Sequence, residues 1–183
     1  MEQSFEYKVN PNILILAKET LSQEEINESE RITEQLLSNK LKDFAIRKLM
    51  SLIGVKPKRP LYYLNHELNF LPEYTRTTIF YAGSYIALLV QYLAQENSIK
   101  YYLTLGSHLS KARALLGEKL YNDLFNYNKF IYVPAKHEFN FTDKPHLFSA
   151  KETVITLMIT LNLAKKIVEL SPKAKAYTEN KLF

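Results

Sequence analysis

The segment NYNKFIYVPAKHEFNF, residues 126–141, contains the densest group of titratable side chains next to an apolar run. Lys136, His137 and Glu138 are consecutive, and His146 follows nine residues after His137. Histidine titrates near neutral pH, and a neighbouring lysine or glutamate can shift its pKa in either direction. His137 is therefore a candidate for proton transfer. The alternative is a loop histidine whose ring bonds a backbone carbonyl, beside a solvated Lys136.

No other local pattern predicts a metal or cofactor site. The other two histidines are His66 and His108, and no pair of the four has the four-residue spacing of a helical zinc motif. There is no cysteine, which removes thiolate ligands and thiol nucleophiles. The four glycines form neither a GxGxxG nor a GKS/T loop, and a GxSxG motif is missing. We expect no metal and no cofactor.

A second candidate site combines aromatic and basic residues. Lys100 directly precedes the doublet Tyr101-Tyr102 in the stretch SIKYYLTLGSH. Aromatic rings interleaved with lysine can stack on bases, so these three residues and His146 are candidate binding residues. The alternative is that the rings belong to the core, because aromatics in helical bundles are mostly buried.

Charge is distributed unevenly along the chain. Residues 98–183 carry 13 Lys and Arg against 7 Asp and Glu, a net charge of +6, whereas residues 1–97 carry 11 against 12, a net charge of −1. A basic half can attract phosphates, and it can equally be a set of solvated lysines that keep the protein soluble. The most apolar stretch, residues 79–94, is too short to span a bilayer, and the first residues do not resemble a signal peptide. A soluble, cytoplasmic protein is expected.

Local sequence signals predict helices along most of the chain. Ser22 with Glu25 and Ser149 with Glu152 form capping boxes at the starts of two helical segments. The first runs to Gly54 as one long helix or two in line, and the second runs to Ser171-Pro172. Three further helices are expected: one from Thr75 to Glu96 whose small residues permit close helix approach, one that Ser107 caps and that runs toward Leu116, and one over 118–130. Residues 55–74 read as a proline-bounded connection, and residues 5–16 fit a strand or a short helix.

The predicted architecture is a single all-α domain over residues 1–183, a bundle of about five helices with long connections. Residues 1–21 are expected to form an N-terminal extension and residues 173–183 a C-terminal tail. The long helices carry more apolar surface than so small a domain needs to bury, which predicts a homodimer.

One arrangement in the C-terminal half resembles the HEPN family. It consists of a helix that ends near Phe130, an extended link through Pro134, the pair Lys136-His137 and then a capped apolar helix. HEPN proteins are small helical bundles, often dimeric, that occur in toxin–antitoxin, CRISPR and phage-defence systems. Active members are metal-independent ribonucleases in which four to six residues separate an arginine from the histidine that follows it. His137 is similar in position to that histidine.

The arginine of the family motif has no counterpart here. Its positions hold Phe130, Ile131 and Tyr132, and Lys129 is one residue too distant. In a ribonuclease of this kind, His137 would take the 2′-hydroxyl proton or protonate the 5′-oxygen, and Lys129 or Lys136 would stabilise charge on the phosphoryl oxygens.

Three function classes follow from this. The first is a non-catalytic HEPN-like domain that binds RNA, a nucleotide or a partner protein such as an antitoxin. The second is a metal-independent HEPN-type ribonuclease that uses His137. The third is an unrelated helical interaction or regulatory protein.

Overall fold

A computed structural model of the chain describes residues 8–37, 75–100, 104–137 and 148–179. The α-helices in these ranges are α1 (Pro11–Thr20), α2 (Gln23–Leu37), α3 (Thr75–Glu96), α4 (Leu105–Tyr127), α5 (Val133–Lys136), α6 (Ala150–Leu170) and α7 (Pro172–Glu179). A π-helical segment, Asn128–Tyr132, joins α4 to α5 and is called the π segment below. No strand occurs in the described ranges, and the all-α class is confirmed.

Helix α1 settles the choice between strand and helix near the N-terminus. The Asn10 side chain accepts a hydrogen bond from the Asn12 N–H at 2.9 Å, and Pro11 occupies the first turn, where its missing N–H costs nothing. Ile13, Leu16 and Ala17 are fully buried. Residues 11–20 therefore belong to the core of the bundle and do not form a peripheral extension.

Helix α2 begins with the predicted capping box. The Ser22 N–H donates to the Glu25 carboxylate at 2.7 Å, and the Glu25 N–H donates to the Ser22 hydroxyl at 3.2 Å. The predicted continuation of this helix to Gly54, and the connection over 55–74, lie outside the described residues.

Helix α6 is the centre of the bundle. From Glu152 to Leu161 every residue is buried, including three threonines, and α6 packs against α1, α2, α3, α4 and α7. Its capping box is present as predicted, and Ser149 also donates to the Lys8 carbonyl while Glu152 accepts from the Asn10 N–H at 2.6 Å. The central place of α6 could not be predicted from its sequence, because an apolar stripe does not reveal how many neighbours surround a helix.

Helices α3 and α4 differ in how closely they follow prediction. Helix α3 has the predicted bounds and contributes buried side chains on one side to α6. Helix α4 starts three residues earlier than expected, since its cap is Thr104, whose hydroxyl accepts from the Ser107 N–H at 3.2 Å. Gly117 interrupts α4 with a φ of 72°, a left-handed value that glycine adopts without strain, as its predicted role between two helices requires.

The predicted extended link through Pro134 is wrong. The chain stays helical from α4 through the π segment to Lys136, and Pro134 lies in the first turn of α5. A proline ring inside a continuous α-helix clashes with the carbonyl four residues before it. The wider π turn immediately before Pro134 changes the hydrogen-bond register, with the Val133 N–H donating to the Asn128 carbonyl, and helical structure continues.

Helix α7 occupies most of the predicted C-terminal tail. Ser171 ends α6 and donates to the Glu96 carboxylate at the end of α3, and the Tyr177 ring lies 5.3 Å from that of Tyr92. Ala174 is fully buried. Across the described ranges, no helix combines the length with the hydropathy that a bilayer-spanning segment needs.

Candidate functional site

The π segment is held against the core by large side chains. Ile131 is fully buried, and the ring of Tyr132 lies directly over Gly83 of α3, where no other residue type leaves room for it. The Tyr132 ring also stacks on Phe80, with centroids 6.1 Å apart. In α5, Ala135 is buried as well. One side of this helical stretch is therefore fixed, and its opposite side faces solvent.

The three residues singled out for chemistry lie on that solvent side. Lys129, Lys136 and His137 are all exposed, and they are called the basic face below. The Lys129 ammonium lies 5.1 Å from the centroid of the Phe130 ring, and the His137 N–H donates to the Val133 carbonyl at 3.1 Å, which ends α5. Seven residues separate Lys129 from Lys136, which corresponds to about 10 Å along a helix axis.

Three acidic side chains in the described part of the C-terminal half have partners away from the basic face. Glu118 forms a two-bond pair with Arg113, at 2.6 and 3.1 Å, and Asp123 pairs with Lys119 at 3.1 Å. Glu152 is bonded to backbone N–H groups at the start of α6. Within the ranges that the structure describes, no acidic group forms an ion pair with the basic face. The positive potential of this face is therefore not cancelled by a described neighbour.

His108 is the one histidine of the described ranges that is buried, at 5% exposure in the first turns of α4. Burial lowers its pKa, and a hydrogen bond to the Thr104 backbone opposes that shift. It does not belong to the basic face. No group of three or more metal-ligating side chains is found in the part of the chain that the structure describes.

The other predicted binding residues are not brought to the basic face. Lys100 is exposed and lies four residues beyond the end of α3, whereas the π segment packs near Gly83, about 20 Å earlier along that helix. Tyr101, Tyr102 and His146 lie outside the described residues.

Sequence reasoning missed an aromatic platform next to the basic face. Tyr121 and Phe125 of α4 stack with centroids 6.0 Å apart and ring planes inclined by 30°, and the Arg113 guanidinium lies 4.7 Å from the centroid of Tyr121. Phe125 is 42% exposed. The signal was present in the spacing, because residues 121, 125 and 129 follow one another at four-residue intervals along one helical face.

Comparisons with protein-family models, with curated proteins and with solved structures find no match to this chain. The function is therefore argued from the geometry of the basic face.

Proposed function

We propose that this protein binds RNA without cleaving it, through the basic face of Lys129, Lys136 and His137. The observation that carries the proposal is that these three residues share the exposed side of a helical stretch whose other side is anchored in the core. Lysines spaced along one rigid face can contact successive phosphates, and phosphate contacts supply most of the affinity in sequence-independent binding.

The same geometry favours binding over catalysis. General acid–base catalysis requires the catalytic groups to converge on one reacting atom. Lys129 and His137 lie about two helical turns apart, and both side chains are exposed. Separated, solvated cations suit an extended polyanion better than they suit a single phosphodiester.

RNA binding measured by fluorescence anisotropy tests the proposal. In Lys129→Gln/Lys136→Gln, two phosphate contacts are lost, so the slope of log affinity against log salt should fall by about 1.4 for a single strand. The matched control is Lys165→Gln/Lys173→Gln, which removes the same charge from two exposed sites near the junction of α6 and α7. Equal loss of affinity in both variants would mean that net charge alone attracts RNA and would refute a defined face.

A second candidate is the metal-independent ribonuclease. It is supported by the adjacency of His137 and Lys136 at the exposed end of α5, where substrate can reach both. His137 would then transfer the proton and Lys136 would stabilise the phosphoryl charge. Incubation of labelled RNA with EDTA-treated protein distinguishes the two candidates: binding alone leaves the RNA intact. Cleavage by the wild-type chain that His137→Ala abolishes, at unchanged melting temperature, would replace the first proposal by the second.

The same proposal includes two further points, that the chain is related to HEPN domains and that it forms a homodimer. The helical bundle supports both, and Ile15 of α1, at 56% exposure, is the most exposed large apolar side chain of the described residues. Sedimentation at micromolar concentration should give twice the 21.4 kDa chain mass, and a single 21.4 kDa species would exclude the dimer.

A further inference from the structure

We infer that the ligand of the basic face is single-stranded nucleic acid, and that one of its bases stacks on the aromatic platform formed by Tyr121 and Phe125. This inference rests on the proposed function and adds to it the strandedness of the ligand. Aromatic rings beside a row of cations form the usual binding surface for unpaired bases, since every base has a face that can stack.

The platform and the basic face form one continuous surface. Phe125 is one helical turn before Lys129, about 6 Å along the axis, and Tyr121 is one turn before Phe125. At the far end, Arg113 covers Tyr121 and is held in place by its two hydrogen bonds to Glu118. The order along the surface is therefore the Arg113–Glu118 ion pair, two rings and Lys129, which suits a strand that places a base on the rings and a phosphate beside Lys129.

Exposure of the Phe125 ring leaves part of the platform accessible to a base. An exposed large apolar ring forgoes the free energy of burial, about 25 cal/mol per Å² of apolar surface. Tyr121 is half-buried against the core, and its ring stacks with the ring of Phe125. The Phe125 ring is therefore held in place by Tyr121 while part of it is exposed to solvent.

Charge decides between RNA and a second copy of this chain as the occupant. Lysine is depleted from the centres of protein–protein interfaces, and Lys129 borders the platform. In duplex RNA the base faces are already covered by neighbouring base pairs, so a duplex can use the lysines but not the rings.

The experiment compares a single-stranded RNA of about 12 nucleotides with its duplex, by anisotropy, for three variants. Phe125→Leu removes the ring and should weaken single-strand binding at least about fivefold, leaving duplex binding unchanged. Phe125→Tyr retains a ring and should keep the wild-type affinity. Leu115→Ala, at a partly exposed apolar site on the same helix, is the control and should change neither affinity.

A spectroscopic readout tests stacking directly. The sequence has no tryptophan, so Phe125→Trp places one fluorophore at the platform, and single-stranded RNA should quench its emission while the duplex should not. The inference is wrong if Phe125→Leu weakens the binding of single-stranded and duplex RNA equally, or weakens neither.

Failure of this inference is distinguishable from failure of the proposed function. Lys129→Gln/Lys136→Gln should weaken both RNAs; if it does so while Phe125→Leu has no effect, the basic face stands and the platform does not. If Phe125→Leu instead dissociates a dimer without changing RNA affinity, the platform is an interface between copies of this chain and the inference is wrong.

Discussion

His108 shows at the scale of one residue how burial produces pH dependence. The side chain is buried in α4, and removal from water disfavours its charged form, which lowers its pKa below the ordinary 6.5. In the unfolded chain the same ring binds a proton at the ordinary value. The unfolded state therefore holds more protons once the pH falls below about 6.5, and acid favours unfolding.

We predict that the melting temperature falls as the pH is lowered from about 7.5, through 6.5, toward the depressed pKa of His108. In His108→Gln, the part of this fall that is due to His108 should disappear. Above about pH 7.5 this group contributes no pH dependence, because it is neutral in both states. Differential scanning calorimetry of both proteins across this range is the measurement. An identical slope in both proteins would show that other groups cause the pH dependence.

Two buried tyrosines provide a matched pair at the same scale. The Thr160 hydroxyl donates to the Thr156 carbonyl, so the Tyr127 hydroxyl must donate to Thr160, at 2.7 Å. The hydroxyl of Tyr85 is equally buried, yet in the described part of the chain it has no hydrogen-bond partner. Burial raises the pKa of both phenols, so both are neutral at any physiological pH.

We expect Tyr127→Phe to lower the free energy of unfolding by about 1 kcal/mol, a fall in melting temperature of about 2–4 °C, because a buried hydrogen bond is lost. Tyr85→Phe should leave stability unchanged or raise it, since it removes a buried hydroxyl that lacks a partner. Thermal unfolding of both variants tests the contrast, which a larger loss in Tyr85→Phe would contradict.

At the scale of elements, the π segment is fixed by its fit to α3. A Cβ atom on Gly83 would lie 2.0 Å from a ring carbon of Tyr132, far inside van der Waals contact. A Cβ on Gly106 of α4 would meet only the Asn128 side chain, at 3.4 Å. The two helical glycines therefore differ in what surrounds them.

Gly83→Ala should destabilise the protein by about 1–3 kcal/mol, as overpacking does, whereas Gly106→Ala should be neutral or stabilising by up to about 1 kcal/mol through helix propensity. Urea unfolding measures both. A double-mutant cycle with Tyr132→Leu should recover part of the Gly83→Ala loss, because the clashing ring is then gone. Strict additivity in that cycle would contradict the described packing.

At the scale of the whole molecule, α1 joins the N-terminus to the core. Ile13 is fully buried, while Ile15, two residues on, is 56% exposed. Asn10 and Lys8 are also bonded to the capping box at the start of α6. The first helix and the central helix therefore stabilise each other across nearly the full length of the chain.

In the monomer, Ile13→Ala should lower the free energy of unfolding by about 2–5 kcal/mol, because it leaves a cavity in the core, and Ile15→Ala should change it by less than about 0.5 kcal/mol. Chemical denaturation of the two variants is the measurement. Similar effects at both positions would indicate that α1 does not dock as described.

The candidate site could be predicted from sequence only in part. Residue type and a family resemblance are enough to select Lys129, Lys136 and His137 as candidates. Pro134, however, predicted an extended link before Lys136 and His137. The π segment instead keeps the chain helical as far as Lys136, and all three side chains are exposed. The Arg113 partner of the aromatic platform was missed because it reaches Tyr121 across the break at Gly117, a turn that spacing rules do not describe.

The features that could be read correctly from the sequence are those caused by residues close together in the chain. The capping boxes at Ser22 and Ser149 and the bounds of α3 follow from side chains that bond backbone groups three or four residues away, or that cannot continue a helix. Three outcomes follow from long-range packing. Helix α6 is central, α1 belongs to the core, and the chain remains helical through Pro134. Those outcomes depend on neighbours that are distant in sequence; Gly83, for example, makes room for the Tyr132 ring. The free energy gained by burial against such neighbours outweighs the conformational preference of the local sequence.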